Sequence, residues 1–240
     1  MLLIIPMAGR GSRFSDVGYT IPKPLIEVAG KPMLNHAFQS VKNVDYRKLV
    51  FIALREHEEQ FHVRKLIHEQ ITPEFELILI DEITEGQLCT VLKGTHLLES
   101  GESILIAASD SYIESDIANE LNQITADGII SVINLPGEQW SFAKTDSTGR
   151  VTEVAEKNRI SDNASTGIYY FKDGSRFVFE AEQLIQNKET TRGEYYIMPV
   201  YNKLIQQDNT IRISIASAMW DMGTPEAKLK FEKYLHDTNI

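Results

Sequence analysis

An α/β fold, built on a doubly wound and mainly parallel sheet, is predicted from three features of this 240-residue sequence. Short β-branched runs alternate with amphipathic stretches through the first half, as a parallel sheet flanked by helices requires. Two of those runs, "LVFIAL" at 49–54 and "SILIAAS" at 103–109, are apolar almost without interruption, the pattern of strands buried on both faces. The second half changes texture, with four strand-like runs and little helix between them. The prediction is therefore a Rossmann-like doubly wound core with a more antiparallel layer on the substrate side.

In chain order, "LLIIP" (2–6) is the first strand and "PMLNHAFQSVKN" (32–43) the first full helix. "KLVFIAL" (48–54) is a strand, and "EHEEQFHVRKLIHEQ" (56–70) reads as one charged helix. "FELILID" (75–81), a helix over 86–98 and "SILIAAS" complete the parallel half. "GIISVINLP" (128–136), "WSFAKTD" (140–146), "VTEVAEK" (151–157) and "ASTGIYYF" (164–171) are strands, with a hairpin turn at "TDSTGRV" (145–151). Helices return over 174–187 and 194–207, followed by a strand at "TIRISIASA" (210–218). The closing helix "TPEAKLKFEKYLHD" (224–237) carries Thr224 as N-cap, Pro225 in the first turn and Glu226 beside it. With no repeat, low-complexity tract or Ser/Pro-rich linker, residues 1–240 are expected to form a single domain.

Lys plus Arg total 24 and Asp plus Glu 34, a formal charge of −10. Such a surface repels nucleic acid polymers and anionic lipid, so any polyanionic ligand must meet a locally basic pocket. A single cysteine, Cys89, excludes an internal disulfide and fits a reducing compartment. Placed in a helical apolar pattern, it reads as a structural thiol. "MLLIIPM" lacks the features of a signal peptide, and no later run approaches the ~20 apolar residues of a spanning helix, so a cytoplasmic location away from membranes is expected. A homo-oligomer is left open.

The candidate site begins where "MLLIIPMAGRGSRF" (1–14) leaves the first strand for a glycine-rich turn. Open α/β sheets place ligands at the carboxyl ends of their strands. A dinucleotide fingerprint would need glycine where Phe14 stands, and no Walker A string exists in the chain. The remaining reading has Gly9 and Gly11 exposing backbone N–H groups to a polyphosphate while Arg13 and Lys23 supply charge. A surface turn with solvated cations is the plain alternative. Against it, Pro22 and Pro24 restrict the backbone around Lys23, which suits a fixed ammonium. "HEEQFH" is not the zinc motif H-E-x-x-H: His57 and His62 are five apart, about 140° round a helix, where spacing four gives about 40°.

"PMAGRGSRF" followed by "PKPLIEVAGKPML" resembles the signature of the sugar-nucleotidyltransferases, the NDP-sugar pyrophosphorylases. Further segments resemble that family in the family's order: "TEGQLCTVL", "LIAASDSYI", "VTEVAEKN", "NASTGIYYF", "GEYYIMPVYNKLI" and "MWDMGTPEA". The resemblance implies an enzyme that joins a nucleoside triphosphate to a sugar 1-phosphate, or a similar phosphomonoester, and releases pyrophosphate. It implies that Ala8, Gly9, Gly11 and Ser12 cradle the triphosphate, that Arg13 stabilises the departing pyrophosphate, and that Lys23 bridges toward the α-phosphate. Gly86 would let the base lie against the backbone, and a helix N-cap is its compatible plain role. Asp110 and Asp221 would hold Mg²⁺, an oxygen-seeking cation suited to two carboxylates plus phosphate oxygens. Glu156, Lys157, Thr166 and Glu194 would bind the acceptor. For Asp110 and Asp221 alone, capping or turn roles stay open, as does a solvated ion pair for Glu156 and Lys157.

The chain also departs from that pattern. Arg10 and Ser12 stand where hexose-type members carry glycine and threonine, and Trp140-Ser141 replaces their tyrosine-glycine pair. No left-handed β-helix extension is expected. These departures bring compact members into view, among them cytidylyltransferases acting on phosphocholine. A non-catalytic nucleotide-sugar sensor is the alternative from a different class. A nucleotide-sugar glycosyltransferase is disfavoured, because Asp110-Ser111-Tyr112 replaces its D-x-D.

Overall fold

The structure is a computed structural model that describes residues 1–123 and 125–238. Its first strands are β1 (Leu2–Pro6), the short pair β2 (Glu27–Val28) and β3 (Lys31–Pro32), β4 (Lys48–Leu54), β5 (Glu76–Ile80), β6 (Ile104–Ala107) and β7 (Ser111–Glu114). There follow β8 (Gly128–Ile133), β9 (Ser141–Thr145), β10 (Val151–Glu156), β11 (Ala164–Phe171), β12 (Ile211–Ile215) and β13 (Ala218–Asp221).

Strands β5, β4, β1 and β6 lie side by side and parallel, and β11 joins β6 in the antiparallel sense. Beyond β11 the sheet splits. One branch continues through β8, antiparallel to β11, to β12, and the other through β9 to β10. Because β1 is flanked by β4 on one side and β6 on the other, the chain reverses its direction of travel at β1. That reversal opens a crevice at the carboxyl ends of β1 and β6. The predicted α/β architecture with its antiparallel second half is what the chain adopts.

The alternation of side chains along β1 divides the interior. Leu2 and Ile4 pack into one apolar layer with Val91, Phe171 and Phe177, while Leu3 and Ile5 pack into the other with Phe38, Phe51 and Val63. A third, smaller cluster joins Phe14, Ile26, Val28 and Met33 near the N-terminus to Met222, Phe231 and Leu235 near the other end. The closing helix, Pro225–Thr238, supplies the last two residues, and Thr224 caps it by accepting the Ala227 N–H at 3.1 Å.

Three local expectations are corrected. The charged helix over 56–70 is two helices, Arg55–Phe61 and Val63–Gln70, with His62 between them in the left-handed region at φ 51°. The first buries none of its side chains, whereas the second buries Val63 and Ile67. Phe61 of the first helix and Val63 and Ile67 of the second pack on the same apolar layer, and the Glu58 carboxylate accepts the Arg64 N–H at 2.8 Å.

Over 194–207 only Val200–Ile205 is helical. The preceding stretch is held extended against Gly86: Tyr195 N–H donates to the Glu85 carbonyl at 3.0 Å and Leu88 N–H donates to the Tyr195 carbonyl at 3.1 Å. The run expected as one strand at 210–218 ends at Ile215, and a separate strand β13 begins at Ala218. Among the described residues β12 pairs with β8 in the main sheet, but β13 pairs only with β7, in a two-stranded ribbon outside it.

Candidate active site

The glycine turn emerges from β1 at the switch point. Gly11, at φ 61°, precedes a single helical turn, Ser12–Ser15. A Cβ on Gly11 would lie 3.1 Å from the Lys23 Cβ, so the bare glycine lets the turn and the lysine pack together. Lys23 opens the short 3₁₀ turn Lys23–Leu25, in which Pro24 is buried. From there its ammonium reaches across 87 residues of sequence to donate to the Asp110 carboxylate at 2.6 Å.

Asp110 follows β6 and Asp221 ends β13, and the ribbon brings them together. In the ribbon Asp221 is opposite Ser111, and Met222 N–H donates to the Asp110 carbonyl at 2.8 Å. The buried Gly223 marks the convergence: a Cβ placed there would be 2.9 Å from Asp221 Oδ1 and 3.5 Å from Asp110 Oδ2. Burial pushes the Asp110 carboxyl up, but the Lys23 ammonium and, after it, the Arg13 guanidinium overcome this and hold it below the ordinary aspartate range. Burial and then the Asp110 charge leave Asp221 raised. Two hard oxygen donors facing one point suit a divalent cation that takes its other ligands from phosphate. Among the described residues no cluster of three or more His, Cys, Asp or Glu forms a cage for a metal.

Two cavities meet at Asp110. The first, about 650 Å³, is lined by Ala8, Gly9, Arg10, Gly11, Ser12, Lys23, Gly86 and Glu194 among others. The second, about 430 Å³, is lined by Arg13, Asp221, Glu156, Lys157, Thr166, Trp140 and Tyr196 among others. The structure therefore brings all the expected residues to one bipartite crevice and divides them. Arg13 lines the second lobe, while the glycine turn before it and Lys23 line the first.

Several of these side chains already have partners. The Thr166 hydroxyl, buried, donates to the Ser131 carbonyl at 3.3 Å, and Glu194 accepts the Tyr196 hydroxyl at 2.7 Å. Gly86 caps the helix Gln87–Leu92 at φ 146°. The side on which it would carry a Cβ is filled by the backbone N, C and O of Tyr195, all within 3.0 Å. Glu156 has a side chain only 4% exposed and accepts the Ser141 hydroxyl, with Lys157 Nζ 3.6 Å away. Its carboxyl is raised by burial, which Ser141 and Lys157 offset only in part. Burial and then the Glu156 charge push the Tyr169 hydroxyl up to about 12. Cys89, half-buried, has its thiol raised by burial and lines neither lobe, in keeping with a structural role.

Sequence reasoning missed Arg192, Tyr196 and the ribbon partners of the two aspartates. Arg192 lines the second lobe from a turn in which it adopts φ 51° and Gly193 φ 83°; the adjacent glycine was the only signal. The Tyr196 ring lies under Lys157, with Nζ 4.7 Å from its centroid.

The sequence and the fold have counterparts in known proteins. The chain is 24% identical to the UTP–glucose-1-phosphate uridylyltransferase AglF of Haloferax volcanii, over 99% of this chain and 97% of the relative. It is 26% identical to the bifunctional protein GlmU of Methanocaldococcus jannaschii over 98% of this chain, spanning 54% of that longer protein. The fold is similar to a crystal structure of a nucleoside-diphosphate-sugar pyrophosphorylase from Vibrio cholerae RC9, with TM-score 0.83, 29% identity, and 96% and 99% of the two chains covered. It also overlays a UDP-glucose pyrophosphorylase complexed with UDP-glucose at TM-score 0.77, with 99% and 98% covered; at 14% identity that is a likeness of fold. The sequence model of the nucleotidyl transferase family matches residues 3–238, taking in the glycine turn, both aspartates and the ribbon between them, and the chain belongs to that family.

Proposed function

We propose that this protein is a Mg²⁺-dependent nucleotidyltransferase, acting in the cytoplasm, that joins a nucleoside triphosphate to a sugar 1-phosphate for surface polysaccharide synthesis. The observation that carries the reading is the bipartite crevice whose lobes share Asp110, with cationic side chains entering from both. The names of the relatives, a uridylyltransferase and pyrophosphorylases of sugar nucleotides, agree with it.

In this reaction a phosphate oxygen of the acceptor attacks the α-phosphorus in line. The new P–O bond forms as the bond to the β-phosphate oxygen breaks, and the electron pair leaves with pyrophosphate. Two anions must approach, so positioning and charge neutralisation carry most of the catalysis. The first lobe is the natural seat of the triphosphate, with backbone N–H groups around Gly9, Gly11 and Ser12 facing its oxygens. Lys23, a compact ammonium, neutralises the α-phosphate region, and Arg13 offers a planar fork to phosphate oxygens from the acceptor side. Lys157 and Arg192 receive the acceptor phosphate, while Glu156, fixed by Ser141, accepts from an acceptor hydroxyl. Asp110 and Asp221 would hold Mg²⁺, which when bound neutralises phosphate charge and orients the α-phosphoryl group.

The test is pyrophosphate release from a panel of ribonucleotide triphosphates and dTTP against sugar 1-phosphates, with Mg²⁺. Release only when both substrates are present is expected. Nucleotide binding without release for any pair would instead identify a sensor. A second acceptor class is tested in the same panel, because Trp140-Ser141 stands where hexose-type members carry tyrosine-glycine. Phosphocholine with CTP therefore belongs in the panel.

A further inference from the structure

The ribbon that carries Asp221 to Asp110 is short and separate from the main sheet. Among the described residues, β7 and β13 share four residue pairs and join no other strand. A two-stranded ribbon of that length is marginal by its own hydrogen bonds. Something else must hold the two carboxylates in register.

Side chains along a strand alternate between faces. In β13, Met219 and Asp221 line the acceptor lobe, as does Ser111 of β7. The intervening Trp220 and Tyr112, directly paired across the ribbon with ring centroids 5.6 Å apart, belong to the opposite, aromatic face. The fully buried ring of Phe231, on the closing helix, packs against both of them. It stacks on Tyr112 at 5.4 Å and lies 5.6 Å from Trp220, with Tyr234 stacked on Trp220 at 4.2 Å. Tyr112 is two residues beyond Asp110 and Trp220 is one before Asp221. The same cluster takes in Phe14, next to Arg13, and Ile26, three residues after Lys23.

We infer that Phe231 is a positioning residue: by packing against Tyr112 and Trp220 at once, it sets the relation between the Asp110 and Asp221 strand ends. It is not among the residues that line either lobe. This inference rests on the nucleotidyl-transfer reading for its kinetic consequence and on the ribbon geometry alone for its structural one.

The test compares Phe231→Leu, which keeps an apolar filling but removes the aromatic stack, with Phe177→Leu. Phe177 is equally buried but packs on Phe171 at 4.5 Å, in a different layer and away from both lobes. Phe231→Met serves as a second replacement should Leu prevent folding. Hydrogen exchange at 110–114 and 218–222 is measured together with kcat and KM for the active substrate pair. Phe231→Leu is expected to speed exchange in the ribbon and to lower kcat about tenfold or more, with KM within about twofold of wild type. Phe177→Leu should lower the Tm and do neither. The inference is overturned if the two variants behave alike, if ribbon exchange rises with kcat unchanged, or if kcat falls with the ribbon unaltered. Should wild type release no pyrophosphate with any pair, the functional reading fails, and ribbon exchange alone decides whether Phe231 fixes the strand ends.

Discussion

Lys23 Nζ lies 2.6 Å from Asp110 Oδ2, joining the turn after the first strand to the end of β6 by a half-buried ion pair. The lysine and the aspartate therefore hold each other in place between the two lobes. Removing one partner leaves the other without compensation. Lys23→Met is expected to lower kcat/KM by about 100-fold or more, the loss typical of a preorganised charge at a transferring phosphoryl group. With the ammonium gone, burial is left to push the Asp110 carboxyl up, so the acid limb of the pH–rate profile should move to higher pH. An unshifted acid limb would remove Asp110 ionisation from the rate-determining chemistry.

Asp221 carries the opposite imbalance. Its carboxyl is raised by burial and by the neighbouring Asp110 charge, so the folded state holds its proton more tightly than the unfolded chain does. The sign follows by linkage: stability falls as pH rises from the unfolded pKa through the folded one, and at neutral pH the ionised group is a net cost. Asp221→Asn should thus retain or raise the Tm at pH 7.5 while activity falls by about two orders of magnitude or more, a separation seen when a charge is kept for function. Thermal melts alongside pyrophosphate release read both, and a large loss of Tm would count against this account.

Gly86 tests the packing of the substrate wall. At φ 146°, with three Tyr195 backbone atoms within 3.0 Å of where a Cβ would go, alanine has neither the conformation nor the room. Gly86→Ala should destabilise by about 2 kcal/mol or more, because backbone, not a flexible side chain, must yield. Urea unfolding measures it, and a change below about 0.5 kcal/mol would mean that residues 191–195 move freely aside.

Glu102 gives a stability prediction remote from the site. Arg47 grips it in a bidentate pair at 2.9 and 2.8 Å, and that pair, opposed by burial and aided by the Glu99 N–H, holds its carboxyl down at about 2. A depressed carboxylate stabilises the fold above its unfolded pKa and loses that contribution as pH falls toward the folded one. Discounted for the solvent around Arg47, the effect is on the order of 1–2 kcal/mol. The Tm difference between wild type and Glu102→Gln should be full at pH 7 and shrink between pH 4.5 and about 2. A difference constant over that range would show that the pair contributes little.

The parallel half of the fold, and the chemistry gathered at its ligand edge, were legible in the order of the residues alone. Strands such as 49–54, buried on both faces, write their state into composition alone, and glycine, arginine, lysine and aspartate placed at strand ends name the charge they must meet. The sequence did not show where the helix over 56–70 would break, because no glycine or proline marks the spot and the break at His62 answers to the packing of Val63 and Ile67. Nor did it reveal that 210–221 is two strands belonging to different sheets. That division was decided by partners distant in the chain, β8 for one strand and β7 for the other. It is also what brings Asp221 to Asp110, across 111 positions of sequence that no local periodicity can register.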